Sequence, residues 1–433
     1  MPGGLLPGAL GLSYDAAAVL ARAVAAVAPS GKSKVLRALA ARRGIRARYA
    51  RWGREGRDPR RPLLWVHAPS VGEGLQARPL LDLARRERPD AQLAYTHYSP
   101  SALTFAQSLD VDFRDYLPFD TRGDARAALA ALRPTALVFS KVDVWPRLVA
   151  AASQGGVKLG MVSATLAASS SRRSRMAATL LRDAYACLDA VGAIDDADAD
   201  RLVALGVPPG AITVTGDTRY DQVWDRAARV DRTAPLLSAL ASDRPTLVAG
   251  STWPADERPL LAAWLRVRSA LPDARLVIAP HEPTDAHLSA IESWAQREGL
   301  RLARLSAVPD ATMSDVVLVD RTGVLGDLYA LGDAAFVGGG FHRAGLHSVL
   351  EPAAFGLPVL FGPRYAASRD ARLLVSGGGG VSMPDAPSIG RQLVAWLGND
   401  AARSAAGGQA RALVRAGLGA ARRSFELVAR LLP

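Results

Sequence analysis

From residue 63 onward the chain alternates between short, continuous apolar runs and longer Ala/Leu/Arg stretches of helical period. The first apolar runs fall at 63–67, 91–96, 135–140, 157–162, 190–194 and 212–215. A less periodic, proline-containing stretch near 230–245 follows. The pattern then restarts with Thr246–Gly250, Arg275–Ala279, Val316–Asp320, Ala334–Gly338 and Pro358–Gly362. Runs that lack polar alternation and are separated by helices are strands buried on both faces, the mark of a parallel sheet covered by helices. Two such series predict two doubly wound α/β domains, at 62–235 and 236–433, behind an N-terminal segment 1–61 of different character. The Ala405–Leu432 region reads as a helix or helix pair at the end of the second domain, with the option of packing back across both.

Composition narrows the function. A chain of 433 residues exceeds one ordinary core and suits two. With 49% apolar and 22% charged residues it is globular. The single cysteine, Cys187, excludes an intrachain disulfide. The six histidines are scattered without an HExxH pair, so neither a protein-held metal nor another cofactor is expected.

Charge is concentrated near the start. Between Lys32 and Arg61, twelve Lys or Arg residues stand against Glu55 and Asp58, which accounts for most of the formal net charge of +12. With no nucleic-acid-binding motif and a near-neutral remainder, nucleic acid is not an expected partner. A basic block beside an apolar stretch reads instead as attraction to an anionic membrane face. That stretch, Ala16–Ala28, has 13 residues and is interrupted by Arg22. It is shorter than the roughly 20 residues a bilayer-spanning helix needs, and it lacks the early positive charge of a signal peptide. It predicts a helix packed on the protein or lying at the membrane surface.

The loops after the apolar runs are where ligands of such sheets bind. The first carries His67-Ala-Pro-Ser-Val-Gly-Glu-Gly74. Ser70 and Glu73 have the spacing of a capping box, in which Glu73 would bond the backbone at the helix start. The alternative is a carboxylate facing the cleft, free to take a proton. In the second domain, Gly250-Ser251-Thr252 precedes a helix starting near Pro254, and exposed N–H groups there suit a phosphate. Gly338-Gly339-Gly340, leading to Gly345-Leu-His-Ser348, permits either close approach of a ligand to the backbone or an ordinary tight turn. Glu351 near the next helix start serves the helix dipole or accepts from ribose hydroxyls. Neither glycine loop matches a Walker A or GxGxxG fingerprint.

Taken together, these segments resemble the bacterial Kdo transferases, which add 3-deoxy-D-manno-octulosonic acid (Kdo) to the lipid A precursor of lipopolysaccharide. Beyond HAPSVGEG, the ordered matches include Tyr116-Leu-Pro-Phe-Asp120, Val144-Trp-Pro146, Thr215-Gly-Asp-Thr-Arg-Tyr-Asp221 and Ala249-Gly-Ser-Thr252. They continue through Ala335-Phe-Val-Gly-Gly339, His347 and Leu350-Glu-Pro-Ala-Ala354 to Pro358-Val-Leu-Phe-Gly-Pro363, covering roughly residues 45–365.

The resemblance implies the GT-B architecture, two Rossmann-like domains facing a central cleft, and a metal-independent transfer at the cytoplasmic face of the inner membrane. CMP-Kdo would be the donor and an anionic lipid A precursor the acceptor. It further implies that Glu73 is the general base, that Asp143 keeps an acidic role, and that Arg219 stabilises the departing phosphate. Donor contacts are implied at Gly250, Ser251, Thr252, Pro280, His281, Thr322, Gly323, His347, Ser348 and Glu351.

Several positions depart from the family pattern. Its paired glutamates before Trp-Pro are Lys141 and Asp143, and its Pro-Arg-His-Pro is Pro280-His281-Glu282-Pro283. Its Met-Gly-Glu turn is Thr322-Gly323-Val324, Arg219 replaces a lysine, and Ser348 an asparagine. These changes leave open a different nucleotide-sugar reaction on the same frame, or a non-catalytic relative that binds glycolipid or nucleotide.

Overall fold

The computed structural model describes residues 8–27, 34–167, 170–343 and 345–433. Lys32 of the basic block and Ala28 of the apolar stretch lie outside them. The chain divides into two compact units, Met1–Gln222 with Gly419–Pro433, and Val223–Leu418.

The first unit holds seven strands: β1 Leu63–His67, β2 Gln92–His97, β3 Phe113–Tyr116, β4 Ala136–Ser140, β5 Lys158–Ala164, β6 Ala190–Ala193 and β7 Ile212–Val214. Their order is β3-β2-β1-β4-β5-β6-β7, and every pairing is parallel. β1 shows why the run forms a central strand. Leu63 and Trp65 point into one core with Leu137, Phe139 and Leu159. Leu64 and Val66 point into the opposite core with Leu93, Tyr95 and Val138. All four are fully buried, and each stabilises the fold by about 1.5–3 kcal/mol.

The second unit repeats the plan with β8 Thr246–Thr252, β9 Arg275–Pro280, β10 Leu302–Arg304, β11 Val316–Leu318, β12 Ala334–Val337, β13 Val359–Phe361 and β14 Gly380–Ser382. These also form a parallel sheet, ordered β10-β11-β9-β8-β12-β13-β14. The predicted strands match observed ones, and the α/β doubly wound class holds for both units. The pattern did not reveal β3, β10 and β14. β3 and β10 carry charged residues (Arg114 and Asp115, Arg304), and all three are short strands at sheet edges, where one flank needs no apolar cover.

The structure sets the division at Gln222/Val223 rather than 235/236, and returns the C-terminal end to the first unit. The pair expected over Ala405–Leu432 is Asp400–Ala416 and Ala420–Ala429. The second of these buries Ala421, Phe425 and Val428 in the core that holds Leu64 and Val66. Asp221 caps it, accepting from the N–H of Gly419 and of Ala421 at 2.8 and 2.9 Å.

Part of the N-terminal positive charge is turned inward. Ile45 and Tyr49 of helix Ile45–Glu55 belong to the first core. Buried Arg42 donates to the carbonyls of Ala38, Leu117 and Tyr98, Arg48 pairs with Asp115, and Arg57 donates to Leu132 O and Gln92 Oε1. Helix Gly8–Val27 is fastened by polar contacts. Tyr14 donates to Asp120 at 2.6 Å, Arg147 bonds Asp15 and the Gly11 carbonyl, and Arg22 pairs with Asp124 at 3.2 Å. Its outward side is apolar, with Leu12, Val19 and Leu20 exposed by 71, 56 and 65%. No described helix is long and apolar enough to cross a membrane.

Candidate functional site

In the first sheet the strand order reverses between β1 and β4, and in such folds ligands bind beyond that point. The loop after β1 leads into helix Val71–Glu87, with Ser70 at its N-cap and Glu73 in its first turn. The capping box does not form. The Ser70 side chain caps no backbone N–H, and its hydroxyl donates to the Glu73 carboxylate instead. The other Glu73 oxygen accepts from Lys141 Nζ at 3.1 Å. The glycine after Glu73 has a packing cause, because a Cβ at Gly74 would lie 2.4 Å from the Phe105 ring and 2.7 Å from the Tyr95 hydroxyl.

The loop after β4 supplies Lys141 and Asp143. Together with Glu73, Pro69, Thr165 and Arg172 they line a pocket of about 540 Å³. Asp143 is bonded by Arg172. Burial pushes the Asp143 carboxyl up, Arg172 opposes that, and the Glu73 charge adds to it. The structure therefore brings Glu73 and Asp143 together, each held by a cation. Arg172 was not found in the sequence, since its loop follows β5, a strand away in the chain, and matches no motif. Arg219 is not among the lining residues. It opens helix Thr218–Arg229 and is held by Asp217 at 2.6 and 2.8 Å, while neighbouring Thr218 donates to Gln76 O, one turn past Glu73.

His67, first residue of the motif, is a strut. Its Nδ1 lies 3.0 Å from the Thr96 carbonyl, and its Nε2 accepts from Trp145 Nε1 at 3.2 Å. Both contacts suit a neutral ring protonated on Nδ1. Complete burial lowers its pKa to about 3. It thereby ties the Trp-Pro loop after β4 to the loop after β1.

The second sheet reverses between β8 and β12. Gly250, Ser251 and Thr252 end β8, with Ser251 in the left-handed region at φ 53°. Thr252 is buried and donates to Glu257 at 2.7 Å, and Glu257 also meets His287 Nε2 at 2.9 Å. Thr252 is thus committed to the fold, while Ser251 stays half-exposed. Pro280 is buried at the end of β9, and exposed His281 follows it.

Trp253 gathers the histidines. Its ring stacks on His281 at 4.7 Å and on His342 at 4.5 Å, and its Nε1 donates to His347 Nε2 at 3.1 Å. His281 and His347 stack at 4.4 Å. Burial and the neighbouring His281 lower the pKa of His347 to about 4. Among the described residues, no group of three or more His, Cys, Asp or Glu side chains is arranged as metal ligands.

The glycine triplet serves the backbone. A Cβ at Gly338, Gly339 or Gly340 would lie 2.1 Å from Ser251 O, 2.1 Å from Gly345 O or 2.4 Å from Gly362 N. Glycine here lets three loops of the same unit touch. Asp256, fully buried in the first turn of helix Pro254–Ala270, fastens them by accepting from the N–H of Trp253, Gly339 and Phe341 at 3.0, 2.8 and 2.9 Å. Sequence reasoning missed Asp256, although an acid at the third helical position is a capping signal. Ser348 is exposed beside His347, and Thr322 and Gly323 form a separate exposed turn. Burial pushes the Glu351 carboxyl up, opposed by Arg226. Arg226 pairs with Asp327 at 3.0 Å.

Comparison with known proteins now bears on the chain. Residues 43–222 match the family model of the 3-deoxy-D-manno-octulosonic-acid transferases. The chain is 32% identical to the 3-deoxy-D-manno-octulosonic acid transferase of Bordetella pertussis over 378 residues, 84% of this chain and 86% of that one. It is 26% identical to the Haemophilus influenzae transferase of the same name, over 69% of this chain and 70% of that one. Among solved structures, a UDP-N-acetylglucosamine 2-epimerase from Listeria monocytogenes, described as putative in its own report, superposes with a TM-score of 0.61 at 14% identity. It covers 86% of this chain and 96% of its own. The UDP-GlcNAc 2-epimerase of Neisseria meningitidis gives a TM-score of 0.61 at 12% identity, covering 86% of this chain and 99% of its own. These two share the fold, whereas the Bordetella relationship extends through the loops at both switch points. The chain belongs to the 3-deoxy-D-manno-octulosonic acid transferase family and is a glycosyltransferase.

Proposed function

We propose that this enzyme transfers Kdo from CMP-Kdo to a lipid A precursor at a membrane surface, with Glu73 as general base. The observation that carries the reading is the state of Glu73. Its carboxylate is not spent on capping the helix backbone, and it lines a pocket at the switch point of the first sheet. Glu73 takes the proton of the acceptor hydroxyl as that oxygen bonds the anomeric carbon of Kdo. The bond from that carbon to the CMP phosphate breaks, and its electron pair leaves with the phosphate. Asp143, held by Arg172, bonds acceptor hydroxyls and orients them.

The donor belongs to the second unit in this reading. The Ser251 hydroxyl and the start of helix Pro254–Ala270 meet the phosphate. His281, which stands where the family pattern has arginine, and His347 donate to it, and Glu351 accepts from the ribose. Buried Gly250, Thr252 and Pro280 hold the strand ends beneath the nucleotide, and exposed Thr322, Gly323 and Ser348 meet it from their loops. Arg219, kept in place by Asp217, supplies positive charge for the departing phosphate.

Helix Gly8–Val27 supports a membrane role. Polar contacts fasten its inner side, so the exposed Leu12, Val19 and Leu20 are left facing away from the protein. Exposed Arg22, Arg37 and Arg43 stand in the same N-terminal region, as an anionic lipid surface requires.

The test supplies purified protein with CMP-Kdo and a lipid A precursor, and reads both CMP release and lipid mass. The expected result is a mass gain of one or more Kdo residues matched by CMP. A thermal midpoint raised by UDP and not by CMP, with no mass gain, would overturn the donor assignment in favour of another nucleotide sugar.

A further inference from the structure

We propose that Lys141 is an acceptor-specificity residue, whose ammonium group receives an anionic group, phosphate or carboxylate, carried by the acceptor close to the hydroxyl that attacks. The proposal rests on reading the Glu73 pocket as the acceptor site, and it goes further by naming which acceptors the pocket prefers.

Lys141 follows β4 directly and adopts a left-handed backbone conformation, φ 60°. Residues with a Cβ avoid this region, and glycine takes it freely. The conformation is held by the Lys141 N–H, which donates to Val162 O at 2.9 Å. A long cation therefore stands where the backbone itself would favour glycine, and it stands at the wall of the pocket. Strain of this kind persists where the surrounding structure holds it, and it clusters at active sites and ligand clamps.

The charges in the pocket give the cation a task beyond its ion pair. The Lys141 side chain is 37% exposed, and of its three donors the one described bond goes to Glu73. The other cation, Arg172, is bonded to Asp143. The described bond to Glu73 engages one of the Lys141 donors, so the ammonium can receive an anionic group of the bound acceptor before any reaction, and the need for it grows as Glu73 takes the acceptor's proton and loses its charge. An anionic group on the acceptor, within about 4 Å of Nζ, restores the pairing. An acceptor without one leaves a part-buried ammonium uncompensated. Discrimination follows from that cost as well as from the new contact.

The test measures binding by calorimetry, so it does not depend on CMP-Kdo or on turnover. The probes are a phosphorylated glucosamine disaccharide, the same disaccharide bearing a carboxylate in place of phosphate, and the neutral disaccharide. Wild-type protein is expected to bind at least one anionic probe roughly tenfold or more tightly than the neutral one, the size of a single charge-assisted hydrogen bond. Which of the two it prefers tells phosphate from carboxylate. In Lys141→Met and Lys141→Gly the preference should collapse to about twofold or less, and Lys141→Arg should retain it.

Lys141→Gly guards against misfolding, because it removes the ammonium while relieving the backbone. Its thermal midpoint should equal or exceed that of the wild type. Equal binding of all three probes by wild-type protein would overturn the proposal, as would a preference that persists in Lys141→Gly. If transfer from CMP-Kdo fails while the Lys141-dependent preference is measured, the donor reading falls and this inference stands.

Discussion

The neutral state of His67 makes stability depend on pH in a way that can be calculated. The folded protein lowers this pKa from 6.5 to about 3 by burial, whereas the unfolded chain keeps the ordinary value. A histidine held neutral in the fold contributes stability that is fully present above pH 6.5. That stability is lost as pH falls, because the unfolded state then binds a proton that the folded state refuses. At pH 5 the loss is about 2 kcal/mol, and it reaches about 4 kcal/mol near pH 3. In His67→Asn the amide keeps a donor toward Thr96 O and gives up the bond from Trp145 Nε1, a cost common to both pH values, and it does not titrate in this range.

Urea unfolding of both proteins at pH 7 and pH 5, read by pulse hydrogen exchange of peptides spanning β1, isolates this group. Every other titration is common to the two proteins. Wild type should lose about 2 kcal/mol more than His67→Asn between the two pH values. Equal losses would refute the assignment of His67 as a buried neutral strut between the two loops of the pocket.

Other expectations concern the second unit and the N-terminal helix. Asp256→Asn leaves a buried acceptor site facing three N–H groups without its charge. It should destabilise the second unit by about 2–3 kcal/mol in urea unfolding and weaken CMP binding in titration, because the glycine loop loses its fastening. Gly338→Ala drives a methyl group into Ser251 O and should cost on the order of 2–3 kcal/mol. A cost below about 0.5 kcal/mol, within the range of ordinary surface changes, would show that the loops do not touch as described. Replacing Leu12, Val19 and Leu20 together by Ser should weaken sedimentation with phosphatidylglycerol vesicles by about 100-fold or more, at roughly 1 kcal/mol per side chain, and leave CMP binding intact. Unchanged vesicle binding would assign membrane contact, if any, to another surface.

The sequence made the central strands legible because burial on both faces leaves no polar position in them. Leu63-Leu64-Trp65-Val66 can be read only one way. Three of the four edge strands could not be read so; Phe113-Arg-Asp-Tyr116, for one, must cover one side only and resembles a loop. Charge was harder to assign. A run of arginines reads the same whether it faces lipid or donates to carbonyls, and Arg42 and Arg57 do the latter. Glycines misled for a similar reason. Gly338–Gly340 make room for other loops of their own unit, and contacts of this kind arise only after the parallel crossovers have been laid down.

At the candidate site, Glu73 was legible from its place after a strand, whereas Lys141 and Asp143 came into view only through the family resemblance of the segment before Trp145-Pro146. Arg172 was invisible because its loop matches nothing. Trp253 and His342 went unnoticed because stacking joins the ends of β8, β9 and β12, which lie far apart in the chain. The capping spacing of Ser70 and Glu73 was real, and the hydrogen bonds decided its meaning. The serine serves the carboxylate, and neither side chain caps the backbone.

The central claim is that Glu73 removes the acceptor proton. Glu73→Gln keeps the shape and a hydrogen-bonding partner for Ser70 while removing the base. With CMP-Kdo and a lipid A precursor, the wild type should release CMP and add Kdo mass to the lipid. The variant should lose at least about 100-fold in that rate, the usual contribution of a general base, with its thermal midpoint and CMP affinity retained. Transfer by Glu73→Gln within a few-fold of the wild type would contradict the account and return Glu73 to a structural role.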